Sequence, residues 1–139
     1  MNDLDFVLRA VDLLWSNGVR TWVSGGWGEE LRGLEPPRAH DDLDLLYPAR
    51  DWRRVDALQV DWVAAERRPW KRAFVLDGIS VDLFLVERDE QGWFTQLDRR
   101  RHDWPDNVFA TNGRVAVAST AALAAYRHSR DRRRQRRAA

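Results

Sequence analysis

Apolar residues recur at Leu4, Val7, Val11 and Leu14, the spacing of one helical face. Asn2 or Asp3 stands ready to cap that helix, and Gly18 to end it. Residues 20–26, RTWVSGG, then read as a short strand running into two glycines. Residues 27–34 form a short helix closed by Gly33, Pro36 and Pro37, and DLDLLY at 42–47 returns to the alternation of a strand. Residues 49–59 are expected to be helical, with Trp52, Val55 and Leu58 on one side. Three strand-like runs follow, at 61–66, 72–78 and 79–87, with Asp77-Gly78 marking a two-residue hairpin turn. A further hairpin is expected from residues 93–97 and 108–118 around Asn112-Gly113, and Ser119 then caps a last helix. The order αβαβα, strands, α predicts an α+β (α/β-like) fold, a mixed β-sheet packed with helices.

The 139 residues suit one domain, read as a core over 1–126 and an arginine-rich helix end or tail over 127–139. The chain has no cysteine, which excludes disulfides, thiolate catalysis and zinc–thiolate sites. No apolar run approaches the ~20 residues of a membrane span, and the N-terminus carries acids where a signal peptide is basic. A cytoplasmic protein is the expectation. The net charge of +1 conceals an asymmetry: from Arg127 onward seven arginines face one acid, so the body is acidic. Such a body is a poor general surface for nucleic acid, leaving the terminal arginines as the possible contact.

The chemistry concentrates in three stretches. In a strand, Asp42 and Asp44 project from one face while Leu43 and Leu45 project from the other. Paired carboxylates repel, and a divalent cation between them offsets that cost. Oxygen ligands favour Mg²⁺ or Mn²⁺. Asp82 is a lone acid in the apolar run ISVDLFLV, costly there unless paired or bound to metal. Should its strand lie beside that of Asp42 and Asp44, three carboxylates converge, the minimum apparatus of metal-assisted nucleotidyl transfer. The third stretch, Ser24-Gly25-Gly26-Trp27-Gly28, ends a strand and opens a helix, where glycines let the backbone approach phosphate. Arg38 and His40 flank the acid pair as candidate nucleotide contacts, although a metal neighbour or a plain loop histidine also fits His40. Most of the eight tryptophans are expected in the core, and Trp27 is the one placed to touch a ligand.

Together these motifs resemble the nucleotidyltransferase superfamily related to DNA polymerase β, and within it the aminoglycoside and lincosamide nucleotidyltransferases. The resemblance rests on Ser24-Gly25-Gly26, on Arg38-x-His40-x-Asp42-Leu43-Asp44 and on Val81-Asp82-Leu83, and it extends to Val117–Leu123. It implies the nucleotidyltransferase core fold, with Ser24, Gly25 and Gly26 holding the nucleotide triphosphate. Asp42 and Asp44 would bind magnesium, and Asp82 would complete the metal site or act as base. The implied reaction moves a nucleoside monophosphate, AMP if the donor is ATP, onto a hydroxyl of a small molecule such as an aminoglycoside or lincosamide, releasing pyrophosphate. A lysine often found on the family's last helix is missing, and Arg127 stands near its place. Two other functions stay open at this level: transfer to tRNA or protein, favoured only by the basic tail, and a non-enzymatic toxin–antitoxin-like module.

Overall fold

The computed structural model describes residues 1–110 and 115–127. Helix α1, Leu4–Ser16, starts at Asp3, whose side chain accepts from the Phe6 N–H at 2.9 Å. It ends before Gly18, which takes a left-handed φ of 76°. Its buried face comprises Phe6, Val7, Ala10 and Leu14. The face is therefore rotated from the expected one: Leu4 is exposed and Val11 half-buried. Phe6 and Ala10 widen the apolar stripe to one side, and the helix turns its broadest part inward.

Strand β1, Trp22–Ser24, leads directly into helix α2, Gly25–Leu31. Strand β2 covers Asp42–Pro48 and helix α3 only Arg53–Asp56. The expected long helix over 49–59 is thus one turn, anchored by Trp52 and Val55. Strand β3 is reduced to Asp61–Trp62, because Ala64–Glu66 close into a 3-10 turn. Strands β4, Lys71–Leu76, and β5, Ile79–Asp89, form the expected hairpin. Asp77 and Gly78 have φ of 51° and 77°, the two positive values that such a turn requires.

The next part differs from expectation. Strand β6, Gly92–Gln96, pairs with β5 and with β7, Arg101–Asp103, a strand without a sequence signal. Residues 106–109 form a turn, so the start of the expected 108–118 strand is not extended; Asn112-Gly113 lies outside the described residues. Val117 makes an isolated parallel bridge to Val23. A last helix, α4, runs from residue 120 to 127, and the Ser119 hydroxyl accepts from the Ala122 N–H at 3.1 Å. The rest of the arginine-rich end, 128–139, lies outside the described residues.

The sheet order is β1-β2-β5-β4-β3, with β6 on the far part of β5 and β7 beyond it. β2 and β5 are parallel and the other pairs antiparallel, the expected mixed sheet. Two apolar clusters cover its faces. One packs α1 against Val23, Leu43, Leu45, Val81 and Leu83. The other packs α4 and Trp104 against Trp22, Leu46 and Val86. No helix among the described residues is long and apolar enough to cross a membrane.

Candidate active site

The period-two geometry of β2 and β5 decides which side chains meet. Leu43, Leu45, Val81 and Leu83 point into the α1 side and are fully buried. The alternate positions, Asp42, Asp44, Ser80 and Asp82, therefore share the opposite face. Parallel pairing sets Asp44 beside Asp82 and Asp42 beside Ser80. The three aspartates offer carboxylate oxygens within 4.8 Å of one another. Asp42 is exposed, Asp44 half-buried and Asp82 buried. The Ser80 hydroxyl donates to Asp82 Oδ1 at 2.8 Å and fixes the orientation of that carboxylate. Three carboxylates so close repel one another, and an oxygen-only donor set suits a hard divalent cation such as Mg²⁺ or Mn²⁺. The residues fit the metal that the fold implies.

The glycine turn abuts this cluster. Ser24 is buried and pairs with Asp44 across β1 and β2. Gly25 has φ of 58°, and a Cβ there would run into the Asp44 carboxylate. A Cβ on Gly26 would meet the Arg38 guanidinium, and His40 Nδ1 at 2.9 Å. Backbone thus sits where any side chain would fill the space between the acids, Arg38 and His40. Gly28 serves packing instead, since its Cβ would press on Leu123 at 2.9 Å.

Arg38 and His40 are held by Glu30. Glu30 Oε1 accepts from the Arg38 backbone N–H at 2.9 Å and lies 3.0 Å from His40 Nε2. The Arg38 N–H first, then His40, keep the Glu30 carboxyl below its ordinary range. His40 is buried and its ring lies 4.4 Å from that of Trp27. Trp27 differs from expectation. It is only 6% exposed and its indole N–H donates to Asn2 Oδ1 at 2.9 Å, so it belongs to the scaffold and has little surface for a ligand.

Sequence reasoning missed three residues here. Asn2, read only as a possible cap, donates to the carbonyls of His40 at 2.9 Å and Asp42 at 3.1 Å while accepting from Trp27. It ties the N-terminus to α2 and to the start of β2. Ser80 gave a signal that could have been used, a hydroxyl two positions before Asp82 on the same face. Lys71, the single lysine of the chain, lies opposite Phe84 and so shares the face of Asp82. Burial pulls the Lys71 pKa down, but its 2.9 Å bond to Glu66 and the charges of Asp82 and Asp44 outweigh that and leave it raised. Arg127 pairs instead with Glu29, at 3.2 Å, and Glu35, on and after α2.

A mixed sheet with a strand–glycine–helix step beside a convergent aspartate trio defines the nucleotidyltransferase fold. Solved structures agree. ANT(2'')-Ia in complex with adenylyl-2''-tobramycin aligns over 92% of this chain and 76% of its own, with a TM-score of 0.64 at 16% identity. The lincosamide antibiotic adenylyltransferase LnuA, lincomycin-bound, aligns over 84% and 80%, with a TM-score of 0.66 at 15% identity. A Thermotoga maritima protein assigned to the nucleotidyltransferases aligns over 96% and 88%, with a TM-score of 0.55 at 19% identity. No curated protein sequence matches the chain. The family model for aminoglycoside-2''-adenylyltransferase matches residues 6–125. The chain belongs to that family and is a nucleotidyltransferase.

Proposed function

We propose that the protein transfers a nucleoside monophosphate from an NTP, AMP in the case of ATP, to a hydroxyl of a small molecule, with release of pyrophosphate. The observation that carries this reading is the aspartate trio, within 4.8 Å and directly against the Gly25 backbone. Asp42, Asp44 and Asp82 would hold Mg²⁺ or Mn²⁺, which when bound neutralises phosphate charge and lowers the cost of displacement. The Ser24-Gly25-Gly26 backbone, which lies directly against Asp44, would hold the triphosphate. Arg38, whose guanidinium lies over Gly26, is placed to meet the same phosphates with charge-assisted hydrogen bonds. His40 Nδ1 faces the same turn, while its Nε2 is committed to Glu30.

Asp82 is the residue suited to accept or orient the proton of the attacking hydroxyl. It is buried, at the centre of the sheet, and Ser80 holds one of its oxygens in place. A general base contributes about 10²–10⁴-fold when so positioned. Family membership makes antibiotic hydroxyls the first acceptors to try, because the matched structures carry adenylyl-tobramycin and lincomycin. The test is incubation with α-labelled ATP and Mg²⁺, with tobramycin, lincomycin, tRNA and proteins as acceptors. Label on a small molecule supports the reading; label on tRNA or protein replaces its acceptor. Absence of both metal-dependent NTP binding and transfer refutes it.

A further inference from the structure

Residues 36–40 are neither helix nor strand, and Pro36 and Pro37 bring no N–H to the loop. Yet this loop carries Arg38 and His40, so side chains from elsewhere have to fix it. Helical period supplies one of them. Glu30 stands four positions after Gly26 on α2 and three after Trp27, so all three share a face. Glu30 Oε1 accepts from the Arg38 backbone N–H at 2.9 Å and lies 3.0 Å from His40 Nε2. The His40 ring also rests against the ring of Trp27. Asn2 holds the same loop by the carbonyls of His40 and Asp42, a tie to backbone.

One carboxylate oxygen thus sets two groups. An ionised carboxylate only accepts, so the His40 hydrogen sits on Nε2 and Nδ1 is turned to Gly26. With its N–H anchored, Arg38 folds its guanidinium back on the loop. Nη1 donates to the Ala39 carbonyl at 3.1 Å, and Nη2 lies over Gly26. The Glu30 side chain is 16% exposed and that of His40 3%, so water competes little for the bond between them. The charge of Glu30 has the wrong sign to meet phosphate. Any benefit to a nucleotide has to pass through the two residues it holds.

Resting on the nucleotidyl-transfer reading, we propose that Glu30 is a positioning residue for the triphosphate, holding Arg38 and His40 over Gly26 before the nucleotide arrives. Groups fixed in advance lose less freedom on binding, and that difference appears as affinity. Removing Glu30 sets two effects against each other. Loss of its negative charge alone would tighten ATP binding, whereas loss of position would weaken it. Position wins, because Arg38 bonds phosphate at contact while the carboxylate faces it across the His40 ring. The sign of the change in affinity therefore separates the two.

The test measures ATP affinity by calorimetry with Mg²⁺, on the full chain and on Glu30→Ala, Glu30→Met and Glu30→Gln. Methionine keeps the reach of the side chain and removes both acceptor oxygens, so it decides the matter if the alanine variant does not fold. The alanine and methionine variants should bind ATP at least about tenfold more weakly. Glutamine loses the charge but keeps an oxygen that accepts both bonds, and it should restore ATP affinity to within about threefold of the parent. In an Arg38→Ala/His40→Ala background nothing is left to position, and adding Glu30→Ala should change ATP affinity by less than about threefold. Unchanged or tighter ATP binding in the folded alanine or methionine variant overturns the proposal. So does a glutamine variant as weak as these, or an undiminished loss in the Arg38→Ala/His40→Ala background, which would mark a role in the fold alone. Failure of the parent protein to bind ATP with Mg²⁺ refutes instead the nucleotidyl-transfer reading on which the proposal rests.

Discussion

Gly25→Ala probes the joint between the glycine turn and the acids, and its cost separates into two parts. The first is backbone. At a φ of 58° an alanine pays the left-handed penalty, about 1–2 kcal/mol. The second is contact. The new methyl would occupy the place of the Asp44 carboxylate, and Asp44 must leave its rotamer at a cost of about 1 kcal/mol. The sum, roughly 2–3 kcal/mol, lowers the melting temperature of a chain this size by about 10 °C. The displaced carboxylate also disturbs the proposed cation site, so Mg²⁺-dependent ATP affinity should fall by at least about tenfold, the worth of one charged contact. A double-mutant cycle isolates the second part. In an Asp44→Ala background the colliding carboxylate is gone and only the Cβ contact at 3.0 Å remains, so Gly25→Ala should cost little beyond its backbone share. Thermal unfolding gives the stabilities and calorimetry the affinities. Strictly additive stabilities, or an unchanged ATP affinity in Gly25→Ala, would refute the claim that this glycine exists to make room for Asp44.

Asp82→Asn keeps shape and removes charge; turnover on any accepted acceptor should fall about 10²–10⁴-fold, while ATP affinity falls little, and near-normal turnover would remove Asp82 from the chemistry. Asn2→Ala breaks bonds to His40, Asp42 and Trp27 at once. It should lower stability by about 1–3 kcal/mol and speed amide exchange at residues 38–42, whereas unchanged exchange would mean the ties are idle. Asp56, Asp89 and Glu30 all have depressed folded pKa values, held chiefly by Arg72, Arg101 and the Arg38 N–H respectively. A depressed carboxyl stabilises the fold fully above its unfolded value, and that stability is lost as pH falls through the folded value. Denaturant midpoints should therefore hold steady down to about pH 5 and then decline towards pH 2, where Asp89 titrates. A midpoint that rises on acidification across this range would contradict the assignment.

The acids were legible because a strand has a strict period of two. Asp42 and Asp44 had to share a face, and Asp82 broke an apolar run that only a polar purpose explains. That the strand of Asp82 lies beside that of Asp42 and Asp44 was an inference from chemistry, and the register of Asp44 against Asp82 bears it out; the parallel direction of the pairing had no sequence signal. The Asp77-Gly78 turn was equally readable, since a positive φ at both positions suits few residue pairs. What escaped was set by distance along the chain. Asn2 acts on residues 38 and 40 positions away, and nothing local distinguishes that role from a helix cap. Lys71 draws its meaning from Phe84 and Asp82 on the neighbouring strand. Residues 49–59 carry helical spacing, yet Trp52 gives its indole N–H to the Pro69 carbonyl and the chain leaves the helix after one turn. Strand β7 lacks any apolar alternation because its pairing with β6, not its composition, makes it extended.

The parallel seam between β2 and β5 also governs how the molecule comes together and apart. The β4–β5 hairpin closes through a two-residue turn and can form early from local contacts. Its docking on β2 joins Asp44 to Asp82 across 38 positions of chain and is the slow, entropically demanding event. The acid trio is thus assembled from the two sides of that seam. Because α1 packs on Leu43 and Leu45 of one strand and on Val81 and Leu83 of the other, opening the seam breaks the core as well as the acid trio, and the site should be lost only with the fold as a whole.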